Sequence, residues 1–246
     1  NNQFTLEKER LDNQLRIWVE SFSDIVDVAE HDDFNVLKGA IAEQFYALQL
    51  HLNVEKLWLV DQNLQTLWLS PDFTPRLVRE HVSEVLTKQE PLSTIDCESD
   101  CQLYTSVPVI NNQGEIAVIT MSASLIDVIF SLNKSLGSNV AVTSFPSNSQ
   151  LQLDFATFIS ASDETLSASL FALHNQSTPL KQVLADGIQL ETEKNHYFVN
   201  LLPLASTDQQ NYFLALIDDV SVFKNKNESY RRYFLITELL IFIALA

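Results

Sequence analysis

Glycine is scarce in this chain, with 4 residues of 246, where average usage near 7% would give roughly 17. Phosphate-cradling loops use Gly so that the backbone can approach the ligand, and neither GxGxxG nor GxxxxGKS occurs. Nucleotide-binding folds are thereby excluded. Basic residues are also few. Lys and Arg number 15 against 32 Asp and Glu, a net charge of −17. A surface of that sign repels phosphate backbones, so nucleic acid is not an expected partner. The five histidines (His31, His51, His81, His174 and His196) are dispersed, with no i, i+4 pair. No metal site and no cofactor are expected from them. No GxSxG elbow occurs. With 32 carboxylates, chance pairs are assured, so no acid/base pair stands out. An enzyme is not expected in this region.

What is present supports a folded α+β chain. Hydrophobic content of 46% allows a packed core, and the length suits one large domain or two small ones. Leu11, Leu15, Trp18, Phe22 and Ile25 recur at spacings of 4, 3, 4 and 3, which predicts one helical stripe. Such a stripe suits either a partner helix or the protein's own core. After the break at His31-Asp32-Asp33, with Asp33 as a cap, Leu37, Ile41, Phe45, Leu48 and Leu52 share a second helical face. From residue 57 the period shortens. LWLVD and QTLWLS read as a hairpin about Gln62-Asn63. A helix follows over DFTPRLVREHVSEVLTKQ, capped by Asp72 or Thr74, with Leu77, Val78, Val82, Val85 and Leu86 inward. QLYTSVPVI and EIAVITMSAS then make a hairpin about Asn111–Gly114, and a helix begins at Leu125.

A second unit repeats that order: strand NVAVTSF, the apolar run LDFATFISA, a helical stretch broken at Pro179, strand HYFVNLLPL and return strand NYFLALIDD. Superposing Pro108 on Pro203 aligns the two hairpins, with a loop expected to be two residues longer in the second. The expected division is therefore a helical region over 1–52, sheet domains over 53–137 and 138–222, and a juxtamembrane segment over 223–246.

Cysteine is almost absent as well. Cys97 and Cys101 are the only two, and their spacing suits a small disulfide ring in an oxidising compartment. Zinc would need four ligands, and no His lies nearby in sequence. Residues 233 to 246, YFLITELLIFIALA, are apolar apart from Glu238. Fourteen residues would cross about half of a bilayer core, so the run reads as the start of a transmembrane helix or as a buried terminal helix. Arg231 and Arg232 could snorkel to headgroups, although the positive-inside rule would place them in the cytoplasm. The cysteines favour an extracytoplasmic domain.

A curved sheet crossed by a helix leaves room for a pocket with a few polar groups. The expected lining is Trp68, Tyr104 and Ser106 on strands, with Arg76 or Arg79 on the crossing helix; an Arg there could hold a carboxylate bidentately.

The order of elements, and above all the segment CESDCQLYTSVPVINNQGEIAVITMSASLIDVI, resembles the double Cache family of bacterial extracytoplasmic sensor domains, tandem PAS-like sheets found ahead of histidine kinases and cyclic-di-GMP enzymes. The resemblance implies a periplasmic sensor region in the inner membrane, possessing a membrane-distal unit that binds a small ligand and a proximal unit that passes the change on. The Arg-x-x-Trp-Tyr signature of amino-acid-binding members is missing, so an amine or amino-acid ligand is not implied. A homodimer through the N-terminal stripe is one expectation. The alternative from another class is a membrane-anchored periplasmic docking module without a small ligand. A filled interior between the sheet and helix 72–90 would favour docking, and an open polar cavity would favour sensing.

Overall fold

The structure is a computed structural model, and it describes residues 2–28, 33–71, 73, 78–97, 101–111, 113–146, 157–163, 180–191, 195–206, 210–223 and 226. The chain divides into two compact units, Asn1–Ser131 and Leu132–Ala246.

Unit one opens with α1 (Asn2–Val28) and α2 (Asp33–Leu52). The 4-3 stripe of α1 turns Leu15 and Phe22 into the protein's own core and leaves Leu11 and Trp18 half-buried. Leu15 and Phe22 are fully buried, joined by Val19, and α1 packs on α2 and on the sheet. Leu37, Ile41 and Leu48 of α2 are buried too. Strands β1 (Val54–Asp61), β2 (Thr66–Leu69), β3 (Leu92–Asp96), β4 (Gln102–Ile110) and β5 (Ile116–Ser124) form one antiparallel sheet in the order β2-β1-β5-β4-β3. The hairpin turns share one device. Asp61 Oδ1 accepts from the backbone N–H groups of Asn63 and Gln65 at 2.9 and 2.7 Å. Asn111 Oδ1 likewise accepts from those of Gln113 and Glu115 at 3.0 and 2.8 Å. Both are side-chain mimics of a backbone turn, and Gly114 supplies the positive φ of +81° that the second one requires.

Helix α3 (Arg79–Lys88) crosses one face of this sheet. Val82 and Val85 point inward, and an i, i+4 pair of Glu84 with Lys88 at 2.5 Å decorates the exposed side. It begins at Val78 with no side-chain cap; the expected caps Asp72 and Thr74 lie outside the described residues. The opposite face carries α1 and α2, held by a polar clamp. The Asp12 carboxylate accepts from Thr105 Oγ1 of β4 at 2.7 Å and from Ser93 Oγ of β3, and pairs with Arg16 at 2.9 Å. Arg16 Nε is buried with no acceptor among the described residues, an omission that costs about 1–3 kcal/mol.

Unit two repeats the topology. β6 (Asn139–Pro146), β7 (Thr157–Ala161), β8 (Ile188–Glu191), β9 (His196–Ser206) and β10 (Gln210–Asp219) run antiparallel in the order β7-β6-β10-β9-β8. Helix α4 (Ile126–Leu136) precedes β6, and α5 (Leu180–Asp186) precedes β8. The chain turns into β8 at Gly187, φ +69°, where a Cβ would lie 2.5 Å from the Phe198 ring. Ala141, Phe145, Val199, Leu201, Phe213, Ala215 and Ile217 make one apolar core. The expected difference between the hairpin loops is not observed. Pro108 stands opposite Val118 and Pro203 opposite Phe213, so both hairpins span the same number of residues; only the strands reach further toward the turn in unit two. The expected C-terminal membrane segment lies beyond the described residues, and among the described helices none is long and apolar enough to cross a membrane.

Candidate functional site

Strand alternation decides which side chains can share a site, because successive residues point to opposite faces. In unit one the α3-covered face takes Trp58 and Val60 from β1, Val118, Thr120 and Ser122 from β5, and Tyr104 and Ser106 from β4. The register requires this grouping: Trp58 opposes Thr120, which opposes Ser106, while Tyr104 opposes Ser122.

The grouping has two parts. Trp58, Phe73 and Tyr104 form an aromatic chain, with ring centroids 5.7 Å apart for Trp58–Phe73 and 6.1 Å for Phe73–Tyr104. Val60, Val78, Val82, Val85 and Val118 complete an apolar cluster. Trp58 Nε1 donates to Thr66 Oγ1 at 3.0 Å, so its one polar atom is satisfied. Beside the rings runs a row of buried hydroxyls. Ser106 and Thr120 hydrogen-bond each other at 2.9 Å. Ser122, fully buried, has a hydroxyl with no partner among the described residues. An unmet hydroxyl at that depth is where a water or a ligand atom belongs.

Of the expected lining residues, Tyr104 and Ser106 are brought together on this face. Trp68 is not. It opposes Leu59, so it faces α2 and meets the Phe45 ring edge-on at 5.2 Å. Trp58 takes the aromatic position instead. Arg79 is the first residue of α3 and is exposed; Arg76 lies outside the described residues. Reasoning from sequence missed Thr120 and Ser122. The alternation of small hydroxyls in ITMSAS was the available signal.

Cys97 and Cys101 form a disulfide, and both are buried. It closes the connection from β3 to β4, where Asp96 opposes Gln102. Two concave spaces bordered by described residues lie elsewhere. One of about 540 Å³ sits between α2 and β1, against Phe45, Tyr46, Lys56 and Pro71. The other, of about 410 Å³, sits in unit two beside Glu191, His196, Tyr197 and Phe223. No group of His, Cys, Asp and Glu suited to a metal occurs among the described residues.

At the end of unit two, Asp219 Oδ1 accepts from the backbone N–H of Ser221 at 2.9 Å. Hydrogen bonding from the Ser221 hydroxyl and backbone holds the Asp219 carboxyl below its ordinary range. The backbone N–H of Val220 donates to the His196 carbonyl at 2.9 Å, which stitches the start of β9 to the end of β10.

Comparison with known proteins gives the family. Residues 1–223 match the family described as the double sensory domain of two-component sensor kinase. A search of curated proteins finds no match. Among solved structures, the chain is similar to the ligand-binding domain of the Pseudomonas aeruginosa amino-acid chemoreceptor PctC in complex with GABA, at 14% identity and a TM-score of 0.46, covering 87% of this chain and 94% of that one. It is also similar to the sensory domain of the Campylobacter jejuni chemoreceptor Tlp3 with isoleucine bound, at 12% identity and a TM-score of 0.48, covering 91% and 93%. This region is a sensory domain and not an enzyme. With the family matched over nearly its full length, the chain belongs to the double Cache sensory domains.

Proposed function

We propose that the chain is the periplasmic sensor region of an inner-membrane receptor of the histidine kinase or cyclic-di-GMP type, in which unit one reads a small polar ligand. The match to a double sensory domain over residues 1–223 carries this reading. The site is the α3-covered face of unit one, with Ser106, Thr120 and Ser122 as its polar floor, Trp58 and Tyr104 as its aromatic wall and Arg79, at the start of α3, as its cation. Unit two relays the change toward residues 233 to 246, which enter the membrane. A ligand moves the equilibrium only through unequal affinity for two arrangements. Pairing of two copies through the α1 stripe stays part of this reading only at its half-buried positions Leu11 and Trp18, since Leu15 and Phe22 are spent on the core of unit one.

A panel of small carboxylates, amines and amino acids added to the 246-residue chain tests it by thermal unfolding. A ligand at a hundred times its Kd would stabilise unit one by about 2.7 kcal/mol. Ser122→Ala should weaken that ligand about tenfold, the worth of one lost hydrogen bond. If no member of the panel shifts the unit-one transition, sensing by this face is refuted.

One observation favours a second reading. Beside the hydroxyls, the side chains packed between the sheet and α3 form an apolar cluster of rings and valines. On that reading unit one docks a periplasmic partner and holds no small ligand, and a flat response to the panel is its signature.

A further inference from the structure

We propose that Asp12 is the positioning residue that couples the ligand-reading face of unit one to α1, so that a change at Tyr104 or Ser106 reaches the helix through Thr105. The inference rests on the functional reading above and adds the regulation of that same site.

Successive side chains of a strand point to opposite faces of the sheet. Tyr104 and Ser106 point toward α3, so Thr105 between them must point the other way. Thr105 is fully buried there, and its hydroxyl donates to the Asp12 carboxylate at 2.7 Å. Any shift or tilt of β4 that follows a change at the two flanking side chains therefore displaces an anchor of α1. Ser93 of β3 donates to the same carboxylate oxygen. One charged acceptor thus gathers the two strands at that end of the sheet onto one helix, and charge-assisted bonds of this kind are roughly twice as strong as neutral ones.

A mere staple would be satisfied throughout. This one is not. The Arg16 guanidinium reaches Asp12 at 2.9 Å and Ser93 at 3.3 Å through one terminal nitrogen, while its buried Nε has no acceptor among the described residues. A displaced α1 that gives Nε an acceptor regains what the present arrangement forgoes. Two arrangements of comparable energy are what coupling between sites requires.

Hydrogen exchange on the ligand-free 246-residue chain tests this, with α2 amides as the internal reference. Ser106→Ala should raise exchange of α1 amides around Asp12 about threefold over α2, and Asp12→Asn should raise it about tenfold. In the Asp12→Asn background, Ser106→Ala should add nothing, the non-additivity expected of residues in one chain of contacts. Thr105→Val, which removes a single bond of the clamp, carries the same comparison where Asp12→Asn fails to fold. An α1 that ignores Ser106→Ala, or responds equally in both backgrounds, or moves only together with α2, overturns the coupling and leaves Asp12 a structural staple. Because no ligand is added, this result and that of the ligand panel fail independently.

Discussion

Unit one and unit two are the same sheet built from different side chains. Pro203 minus Pro108 and Phe213 minus Val118 are both 95, so the central hairpins align without a gap. On that alignment Ser106 and Thr120 of unit one become Leu201 and Ala215 of unit two, and Tyr104 and Ser122 become Val199 and Ile217. The pairings agree: Thr120 opposes Ser106, and Ala215 opposes Leu201. Across the sheet Trp58, opposite Thr120, corresponds to Ala141, opposite Ala215. The floor of buried hydroxyls in unit one is thus replaced by aliphatic side chains at the aligned positions of unit two, beside the Phe145 and Phe213 rings and Thr143, whose buried hydroxyl has no partner among the described residues. The fold tolerates both because strand order and pairing are backbone properties. The chemistry that the face can offer is set by a handful of inward positions.

The largest expected break of this comparison is Trp58→Ala. It removes a side chain that is 2% exposed and unlinks Phe73 from it, a deletion worth about 3–5 kcal/mol in a core that cannot collapse. Unit two has Ala141 at that place already, so its stability should not change. Trp18, Trp58 and Trp68 all lie in unit one, so tryptophan fluorescence follows that unit alone while circular dichroism follows both. A fluorescence midpoint in urea that stays in place would show that the ring contributes little. Movement of both transitions together would show that the units unfold as one.

A smaller effect should come from the disulfide, which only unit one possesses. The ring it closes is short, so the chain-entropy contribution is at the low end, about 2 kcal/mol. The anchoring has a counterpart in unit two made without sulfur. Leu125 N–H donates to the Cys101 carbonyl at 2.9 Å, and 95 residues on Val220 N–H donates to the His196 carbonyl at the same distance. Reduction with dithiothreitol should therefore lower the fluorescence midpoint and leave the second dichroism transition untouched. Equal shifts in both would assign the effect to the reductant rather than to the bond.

The helices and the central hairpins were legible because their signals are local. A 4-3 apolar spacing marks α1, and Asn111 through Gly114 marks a turn whatever surrounds it. Edge strands β3 and β8 were missed. Every residue of LSTID is half-buried, so no alternation betrays it, and IQLE is four residues long. Trp68, expected in the lining beside Tyr104 and Ser106, stands on the other face of the sheet for a different reason. Trp58 opposes Leu69 and Leu59 opposes Trp68, a register offset of one that puts the two indoles on opposite faces. Register is a property of two strands together and cannot be read from either. The destination of the α1 stripe was likewise open until β4 supplied a partner, since a spacing says that a face is apolar and not what covers it.

The smallest effect sharpens the comparison at the point where each sheet hands over to the segment that follows. In unit one Ser124 Oγ accepts from the backbone N–H of Ile126 at 3.2 Å; at the aligned place in unit two Asp219 Oδ1 accepts from that of Ser221 at 2.9 Å. One cap is a neutral hydroxyl and the other a carboxylate, so only the second can respond to acid. Hydrogen bonds from Ser221 lower the Asp219 carboxyl below its ordinary value of 3.8. A depressed folded value means that the cap's contribution is complete above 3.8 and is lost as pH falls through the folded value. Because Asp219 is exposed, the loss is a few tenths of a kcal/mol at most after solvent screening. Amide chemical shifts are the right measure of so small a change. The Ser221 amide should move upfield as pH is lowered from 5 to 2, about the range over which a depressed carboxylate titrates, while the Ile126 amide stays fixed. Asp219→Asn should abolish the Ser221 titration and keep the cap, since its side-chain oxygen still accepts. A Ser221 amide that titrates at the ordinary carboxylate value, or an Ile126 amide that moves with it, would remove the distinction between the two caps.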